Sequence, residues 1–409
     1  MKKNSNTKFV HTKYPKQDPY NSLHFPVYES VAYEFGTAEA MADAFVGKST
    51  EHTYSRITNP TVSYLEKRVT EITGALGVTA LNSGMAAITN VFMTIAYAGS
   101  NIVTSPHLFG NTYSLFASTL KEFGVEVRFC DLTNLDEVAK VLDKNTCAVY
   151  LEIITNPQME VANLKHLSAL VQSKQIPLIA DTTIIPFCAF DAKDFGVNIE
   201  IVSSTKYISG GATSLGGLIV DYGTFDWSKN KRLIDFSKQF ETAAFTAKLR
   251  KEIHRNIGSY MTPRAAQAQL LGLETLSLRY KQAANTCLTL AKELQKLPTI
   301  KEVNYPGLEN NSFYTISKAQ FGDLSGAMLT FTLSSKEACF AFLNKLKLIK
   351  RATNLFDNKS LIIHPASTIY GTFSSEVLKK MHVGDNLIRL SVGLEEHENL
   401  LADIKQALS

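Results

Sequence analysis

One lysine, two hydroxyl residues and one aspartate form the part of the sequence best suited to chemistry. Lys206 follows Ser203 and Thr205 at the end of an apolar run, and Asp181 ends the apolar run before it. A lysine at a strand end usually keeps its ammonium in water. Small residues flank this lysine, so the sequence favours a desolvated amine that attacks an aldehyde as a Schiff-base lysine does.

These side chains together indicate one cofactor. Ser203 and Thr205 alternate with the lysine and can bind phosphate oxygens, while the Asp181 carboxylate suits a pyridinium nitrogen. The set therefore predicts a site for pyridoxal 5'-phosphate (PLP).

The elements that position this set alternate between strand and helix. Helices are predicted over 61–73, from Gly84, after Gly110, from Asn134 and over 163–174. Apolar runs predict seven strands, at 77–81, 101–105, 125–131, 148–154, 177–181, 199–202 and 215–221. This order is typical of the α/β class, with a mostly parallel seven-stranded sheet covered on both faces. Ligands bind at the carboxyl ends of such strands, where we expect His107, Phe109, Asn156, Asp181 and Lys206.

The pattern changes after residue 300. Strands at 327–333, 361–364 and 387–392, with helices near Lys336 and Glu396, predict a smaller α+β domain. Arg389 lies inside the last apolar strand. An arginine there is usually an edge residue whose aliphatic stem is packed, but if it faces a cleft it can bind a carboxylate. We expect an N-terminal arm over 1–59, a PLP-binding domain over 60–260 and a C-terminal domain over 261–409.

Two other stretches have donors for an anion. Tyr54 and Arg56 lie in an irregular segment that ends at a proline-initiated helix, and both side chains can donate to a phosphate. Gly84 and Met85 begin a helix, where free N–H groups and the helix dipole favour negative charge. Taken singly, the first stretch is more typical of surface residues, and the second is more typical of an ordinary strand-to-helix turn.

Composition narrows the classes of protein. The chain has 409 residues, 45% of them hydrophobic, and 42 basic against 38 acidic residues without a basic run. It predicts no nucleic-acid partner, no membrane patch or span, and a cytoplasmic location. The five cysteines are scattered and none of the nine histidines has metal-ligand spacing, so we expect neither disulfides nor a zinc enzyme.

Seven motifs together resemble the Cys/Met-metabolism family of PLP-dependent enzymes, which includes cystathionine synthases and lyases, methionine γ-lyases and O-acetylhomoserine sulfhydrylases. They lie at 54–61, 83–87, 155–157, 180–181, 203–207, 364–368 and 388–393. The resemblance implies the aspartate-aminotransferase-like fold (fold type I), bound PLP, and a homotetramer built from two catalytic dimers.

The resemblance also implies roles. Lys206 carries the cofactor and moves the proton, and Asp181 faces the pyridine nitrogen. The remaining implied roles are ring contacts by Asn156 and Phe109, phosphate contacts by Gly84, Met85, Ser203 and Thr205, phosphate contacts by Tyr54 and Arg56 of the neighbouring subunit, and substrate binding by Arg389 and Asn354.

The sequence departs from the family pattern at Phe109, Thr182, Gly211 and Asn111, where tyrosine, asparagine, histidine and, in many methionine γ-lyases, cysteine are usual. The run over 354–368 resembles the O-acetylhomoserine sulfhydrylases. That likeness implies γ-replacement of the acetyl group by sulfide or a thiol, giving homocysteine or methionine. The alternatives are a methionine or cystathionine γ-lyase, a cystathionine γ-synthase, and a PLP-binding protein without turnover.

Overall fold

Two β-sheets organise the chain in the computed structural model, which describes residues 6–12 and 18–409. Residues 1–5 and 13–17 of the predicted N-terminal arm lie outside the described residues. The strands are β1 Gly77–Leu81, β2 Asn101–Thr104, β3 Glu126–Phe129, β4 Thr146–Glu152, β5 Leu178–Asp181, β6 Ile199–Val202, β7 Gly217–Asp221, β8 Glu302–Asn304, β9 Met328–Thr332, β10 Lys350–Arg351, β11 Leu361–Ile363 and β12 Leu387–Ser391.

Helices cover both sheets. The α-helices are α1 Asn6–Val10, α2 Ala38–Phe45, α3 Pro60–Thr73, α4 Gly84–Ile95, α5 Gly110–Ser114, α6 Leu135–Val141, α7 Leu164–Ser173, α8 Ile234–Phe240, α9 Ala244–Lys248, α10 Arg255–Ile257, α11 Pro263–Glu274, α12 Leu276–Leu294, α13 Tyr314–Phe321, α14 Lys336–Lys345, α15 Ser375–Lys380 and α16 His397–Leu408. Among the described residues, no helix has the length and apolar character that a membrane crossing requires.

The large sheet has the strand order β1-β7-β6-β5-β4-β2-β3. Strands β3, β2, β4, β5 and β6 run parallel, and β7 is antiparallel to both of its neighbours. The prediction of a mostly parallel, seven-stranded sheet is therefore confirmed. The carboxyl ends of β4, β5 and β6 lie side by side at one edge.

Alternate residues of the central strands enter two different hydrophobic clusters. In β4, Val149 and Leu151 belong to one cluster, while Ala148 and Tyr150 belong to the other. Successive side chains of a strand point to opposite faces, so this division shows that the sheet is covered on both faces. Because both faces of the central strands are buried, their sequences are continuous apolar runs rather than alternating apolar and polar residues.

The smaller sheet has the order β10-β11-β12-β9-β8. The sequence did not predict strands β8 and β10 or helices α13 and α15. These elements have too few residues to show a hydrophobic period. Helices α11 and α12 are separated at Thr275, which has φ −107° and ψ 5°.

Helix α3 begins at a buried capping residue. Asn59 is 1% exposed, and its side-chain oxygen accepts from the N–H of Thr61 at 2.9 Å. Its amide nitrogen donates to the carbonyl of Tyr28, the hydroxyl of Tyr33 and the hydroxyl of Ser55. The side chain therefore caps the helix and also anchors the segment before it.

We expect Asn59→Ala to lower the free energy of unfolding by about 3 kcal/mol, because it removes a cap and leaves buried polar groups unpaired. The matched control is Asn134→Ala. Asn134 caps α6 by accepting from Asp136 and Glu137 in an exposed setting, so its loss should cost only about 1 kcal/mol. Urea unfolding at one fixed protein concentration measures both, and equal losses would contradict the anchoring role.

Candidate functional site

A cavity of about 970 Å³ lies at the carboxyl ends of the large sheet, where the smaller sheet meets it. It brings together ten of the twelve residues predicted for the site. They are Gly84, Met85, Phe109, Asn156, Asp181, Ser203, Thr205, Lys206, Asn354 and Arg389.

Lys206 is the amine of this cavity. Its Nζ donates to Oδ1 of Asn354 at 2.6 Å. Burial lowers the pKa of Lys206 to about 8, the positive charge of Arg389 acts in the same direction, and Asp181 opposes both. About a tenth of the amine is therefore neutral, and nucleophilic, at pH 7, far more than at the ordinary lysine pKa.

Two carboxyl groups lie in the same cavity. Asp181 ends β5 and accepts from the N–H of Thr183 at 2.9 Å, and burial raises its pKa. Glu152 ends β4 and accepts from the N–H of Phe109 at 2.6 Å. Burial and the nearby Asp181 raise the pKa of Glu152 to about 8. Sequence reasoning missed Glu152, although a single acid in the apolar run of β4 was a usable signal.

The first turn of α4 forms a cradle. Ser83 caps the helix, since its side-chain oxygen accepts from the N–H of Ala86 at 3.1 Å. The N–H groups of Gly84 and Met85 lie in the first turn, where the helix itself provides no carbonyl acceptor for them. A Cβ on Gly84 would lie 2.8 Å from the Cβ of Ser203, so only glycine allows the helix to approach this strand end. The result is an anion site backed by the Ser203 hydroxyl.

Arg389 on β12 reaches the cavity from the other sheet. It is 2% exposed, and its guanidinium donates to Oδ1 of Asn156 at 3.1 Å and to the carbonyl of Thr353 at 3.1 Å. Among the described residues, the Nε of Arg389 has no hydrogen-bond partner, and no carboxylate forms a salt bridge with the guanidinium. Burial lowers its pKa to about 10. A buried guanidinium in this state suits an external carboxylate.

Tyr370 supports this arrangement and was not predicted. Its buried hydroxyl donates to the carbonyls of Asn156 at 2.7 Å and Leu108 at 3.1 Å. The hydroxyl thereby fixes the loops that follow β4 and β2 to the C-terminal part of the chain. No local pattern in the sequence reveals such a contact, because its partners lie far apart in the chain.

Two predicted residues lie outside the cavity of their own chain. Arg56 donates from Nη1 to the carbonyl of Arg255 at 2.5 Å, and its guanidinium carbon lies 5.4 Å from the centre of the Tyr54 ring. His107 follows β2 at the carboxyl edge, as expected, but it does not line the cavity. Its ring points to Glu160, while Phe109, two residues later, lines the cavity.

Two departures from the family pattern have structural explanations. Thr182 is fully buried and donates to Glu200, so it belongs to the interior of the sheet. Gly211 has φ +129°, and a Cβ there would lie 2.6 Å from Nδ2 of Asn358. A histidine at this position therefore does not fit beside Asn358.

Comparisons with known proteins identify the family of this chain. The family model for Cys/Met metabolism PLP-dependent enzymes matches residues 6–409. O-acetyl-L-homoserine sulfhydrylase 1 of Thermus thermophilus is 35% identical, over 98% of this chain and 98% of its own. A putative O-acetylhomoserine (thiol)-lyase of Campylobacter jejuni, solved with N'-pyridoxyl-lysine-5'-monophosphate, has a TM-score of 0.95 and 32% identity, covering 99% of each chain. The O-acetylhomoserine sulfhydrylase of Wolinella succinogenes has a TM-score of 0.78 and 46% identity over 87% of this chain and 99% of its own.

The pKa of Lys206 gives a testable pH dependence. Only the neutral amine is nucleophilic, so in the cofactor-free protein its reaction with an acylating reagent should rise with pH through a midpoint at about 8 rather than the ordinary 10.5. Peptide mapping of the modified lysine at a series of pH values measures this.

The variants Asp181→Asn and Arg389→Met are a matched pair for this test. The first removes a negative charge and should move the midpoint down, while the second removes a positive charge and should move it up. A midpoint at the ordinary lysine value, or shifts of the same sign, would contradict the assignment.

Proposed function

Because the chain belongs to the Cys/Met-metabolism family of PLP-dependent enzymes, we propose that it catalyses γ-replacement on O-acetyl-L-homoserine by sulfide or a thiol. Sulfide yields homocysteine and methanethiol yields methionine, with acetate as the other product. One observation carries the proposal: a buried amine of lowered pKa and a buried guanidinium, which has no carboxylate partner in the described part of the chain, open into one cavity. The names of the sulfhydrylase relatives support the substrate.

The residues of the cavity fit PLP. The Gly84 cradle and the Ser203 hydroxyl suit its phosphate, and the Asp181 carboxyl, with no salt-bridge partner among the described residues, suits a protonated ring nitrogen. Met85, Phe109, Asn156 and Thr205 complete the proposed contacts. When bound, the cofactor supplies an electron sink for charge that develops at Cα and Cβ of an amino acid.

The side chains of this chain then have distinct tasks. Arg389 binds the α-carboxylate of the substrate through its planar fork, and Asn156 holds that fork in place. Lys206 in its neutral form, which the lowered pKa makes accessible, accepts the Cα proton and moves it onward as general base and acid. Asn354 orients the amine through its hydrogen bond to Nζ.

Phe109 favours the acetyl ester over a thioether. A tyrosine hydroxyl at this position can assist the departure of a basic leaving group, and phenylalanine has no such proton. Acetate leaves without much acid assistance, whereas a thiolate is more basic and needs it. The phenyl side chain in the cavity therefore suits γ-replacement on O-acetylhomoserine better than γ-elimination from methionine.

We also propose that the site is shared between subunits of a homotetramer. Tyr54 and Arg56 lie outside the cavity of their own chain, on the arm formed by residues 1–59. Large apolar side chains of this arm are exposed, with Leu23 96%, Val46 65% and Val31 60% exposed. Burial of these side chains against a second copy would place the two phosphate donors over the partner's cavity.

The proposal also assigns roles to the two domains and a cellular location. Residues 60–260 act as the PLP-binding domain and 261–409 as the C-terminal domain that supplies Arg389. The five cysteines are free, which supports a reducing, cytoplasmic setting.

The test of function is a substrate panel. The purified PLP-loaded enzyme should turn over O-acetylhomoserine with sulfide at least ~100-fold faster than it eliminates the thiol from methionine, the lower range of what one general acid contributes. Phe109→Tyr should raise methionine elimination while changing acetyl replacement little. O-succinylhomoserine and cystathionine, each with and without sulfide, complete the panel.

A wild type that cleaves methionine or cystathionine as fast as it uses the acetyl ester would replace this proposal with a γ-lyase. Fast use of cysteine as the thiol with O-succinylhomoserine would indicate a cystathionine γ-synthase. Absence of turnover on every substrate, despite bound PLP, would indicate a binding protein.

The shared site predicts complementation. Arg56→Ala and Lys206→Ala chains should each be inactive, but mixing them under free exchange should restore up to about one in four sites, since one site of each hybrid dimer has both residues intact. Activity after exchange, with hybrid formation verified by mass spectrometry, measures this. Inactive hybrids would place Arg56 in its own subunit's site or away from the cofactor.

A further inference from the structure

Three potential metal ligands meet outside the catalytic cavity. His107, Glu160 and His382 each offer one ligand atom, and these atoms lie within 4.8 Å of one another. They belong to three separate segments: the loop after β2, the loop after β4, and the residues after α15. None of the three lines the catalytic cavity.

His107 has an unusual environment for a histidine. It is 7% exposed, and its Nδ1 lies 2.6 Å from Oε2 of Glu160. Its Nε2 is buried and has no hydrogen-bond partner among the described residues. The two nitrogens of an imidazole point away from each other, so Nδ1 is the ring nitrogen that faces Glu160 and the one available to this cluster.

The separations suit tetrahedral coordination. Zinc bonds to histidine nitrogen at about 2.0–2.1 Å, which places neighbouring tetrahedral ligands ~3.3 Å apart. The separations in this cluster range from 2.6 Å to at most 4.8 Å and bracket that value. Small side-chain rotations therefore suffice to close the site.

The backbone holds two of the ligands in place. Glu160 donates its N–H to Oγ1 of Thr155 at 3.0 Å, and its carbonyl accepts from the N–H of Thr155 at 3.1 Å. Gln158 donates from Nε2 to the carbonyl of Met381 at 2.5 Å, directly before His382. The loop after β4 is thus already joined to the segment that carries His382.

Burial falls from His107 through Glu160 to His382, which is exposed. Glu160 and His382 also line a cleft of about 400 Å³. This cleft offers an ion a route to the site and room for a water molecule as fourth ligand. Two imidazoles and one carboxylate form a ligand set that zinc prefers.

We propose that His107, Glu160 and His382 bind one Zn²⁺ ion per chain, with water in the fourth position. The ion binds the neutral imidazoles and the ionised carboxylate, since metal ligands must be deprotonated. The ion would join the C-terminal segment to the two loops that carry Phe109 and Asn156 to the catalytic cavity. It stiffens that wall of the cavity and takes no part in the reaction, so the proposal is independent of the substrate.

Calorimetric titration of the chelator-treated, PLP-loaded protein with zinc chloride tests the site. The wild type should bind one ion per chain, and His382→Gly should weaken binding at least ~100-fold, since loss of even an outer-shell partner costs 10–100-fold. Glycine is suitable because His382 has φ +53°. The matched control is His397→Ala, which removes a histidine with a 40% exposed side chain from the start of α16 and should bind zinc as the wild type does.

A second variant distinguishes three ligands from two. Glu160→Gln keeps a hydrogen-bond acceptor for His107 but removes the charge, and it should also weaken binding at least ~10-fold. Zinc should raise the thermal midpoint of the wild type and leave that of His382→Gly unchanged. No zinc uptake by the wild type, or unchanged affinity in either variant, would overturn the proposal.

Discussion

Burial of the Lys206 amine is the constraint on which the rest of the site depends. An ammonium taken out of water loses its hydration, so the pKa of Lys206 falls to about 8. The neighbours then adjust the charge balance in opposite directions, with Asp181 favouring the charged amine and Arg389 opposing it. The Asn354 side chain accepts the hydrogen bond that a buried amine requires. The same desolvation that makes the amine reactive also demands this set of partners.

The sheet supplies these partners because parallel strands end at one edge. Strands β4, β5 and β6 lead to Glu152, Asp181 and the turn before Lys206. The antiparallel β7 lies between β6 and β1 and brings α4 beside the same edge. The close approach of Gly84 to Ser203 then forms the anion cradle. Topology alone thus brings together groups that lie well apart in the chain.

The second sheet completes the site through a few polar contacts. Arg389 reaches Asn156, Tyr370 holds the carbonyls of Asn156 and Leu108, and Asn354 reaches Lys206. These contacts cross between the two sheets. A substrate carboxylate on Arg389 would therefore be positioned by the C-terminal part of the chain against an amine held by the large sheet.

The sequence by itself determined the strands of the large sheet, the class of that sheet and the cavity residues at its strand ends, because period, strand ends and capping are local properties. Lys206, Asp181 and the cradle at Gly84 were predictable in this way. The tertiary structure alone decided the raised pKa of Glu152, the contacts of Tyr370, the position of Arg56 outside its own cavity, and the meeting of His107 with Glu160. Each depends on burial or on packing between segments distant in the chain, and a linear pattern contains neither the desolvation nor the distances that result.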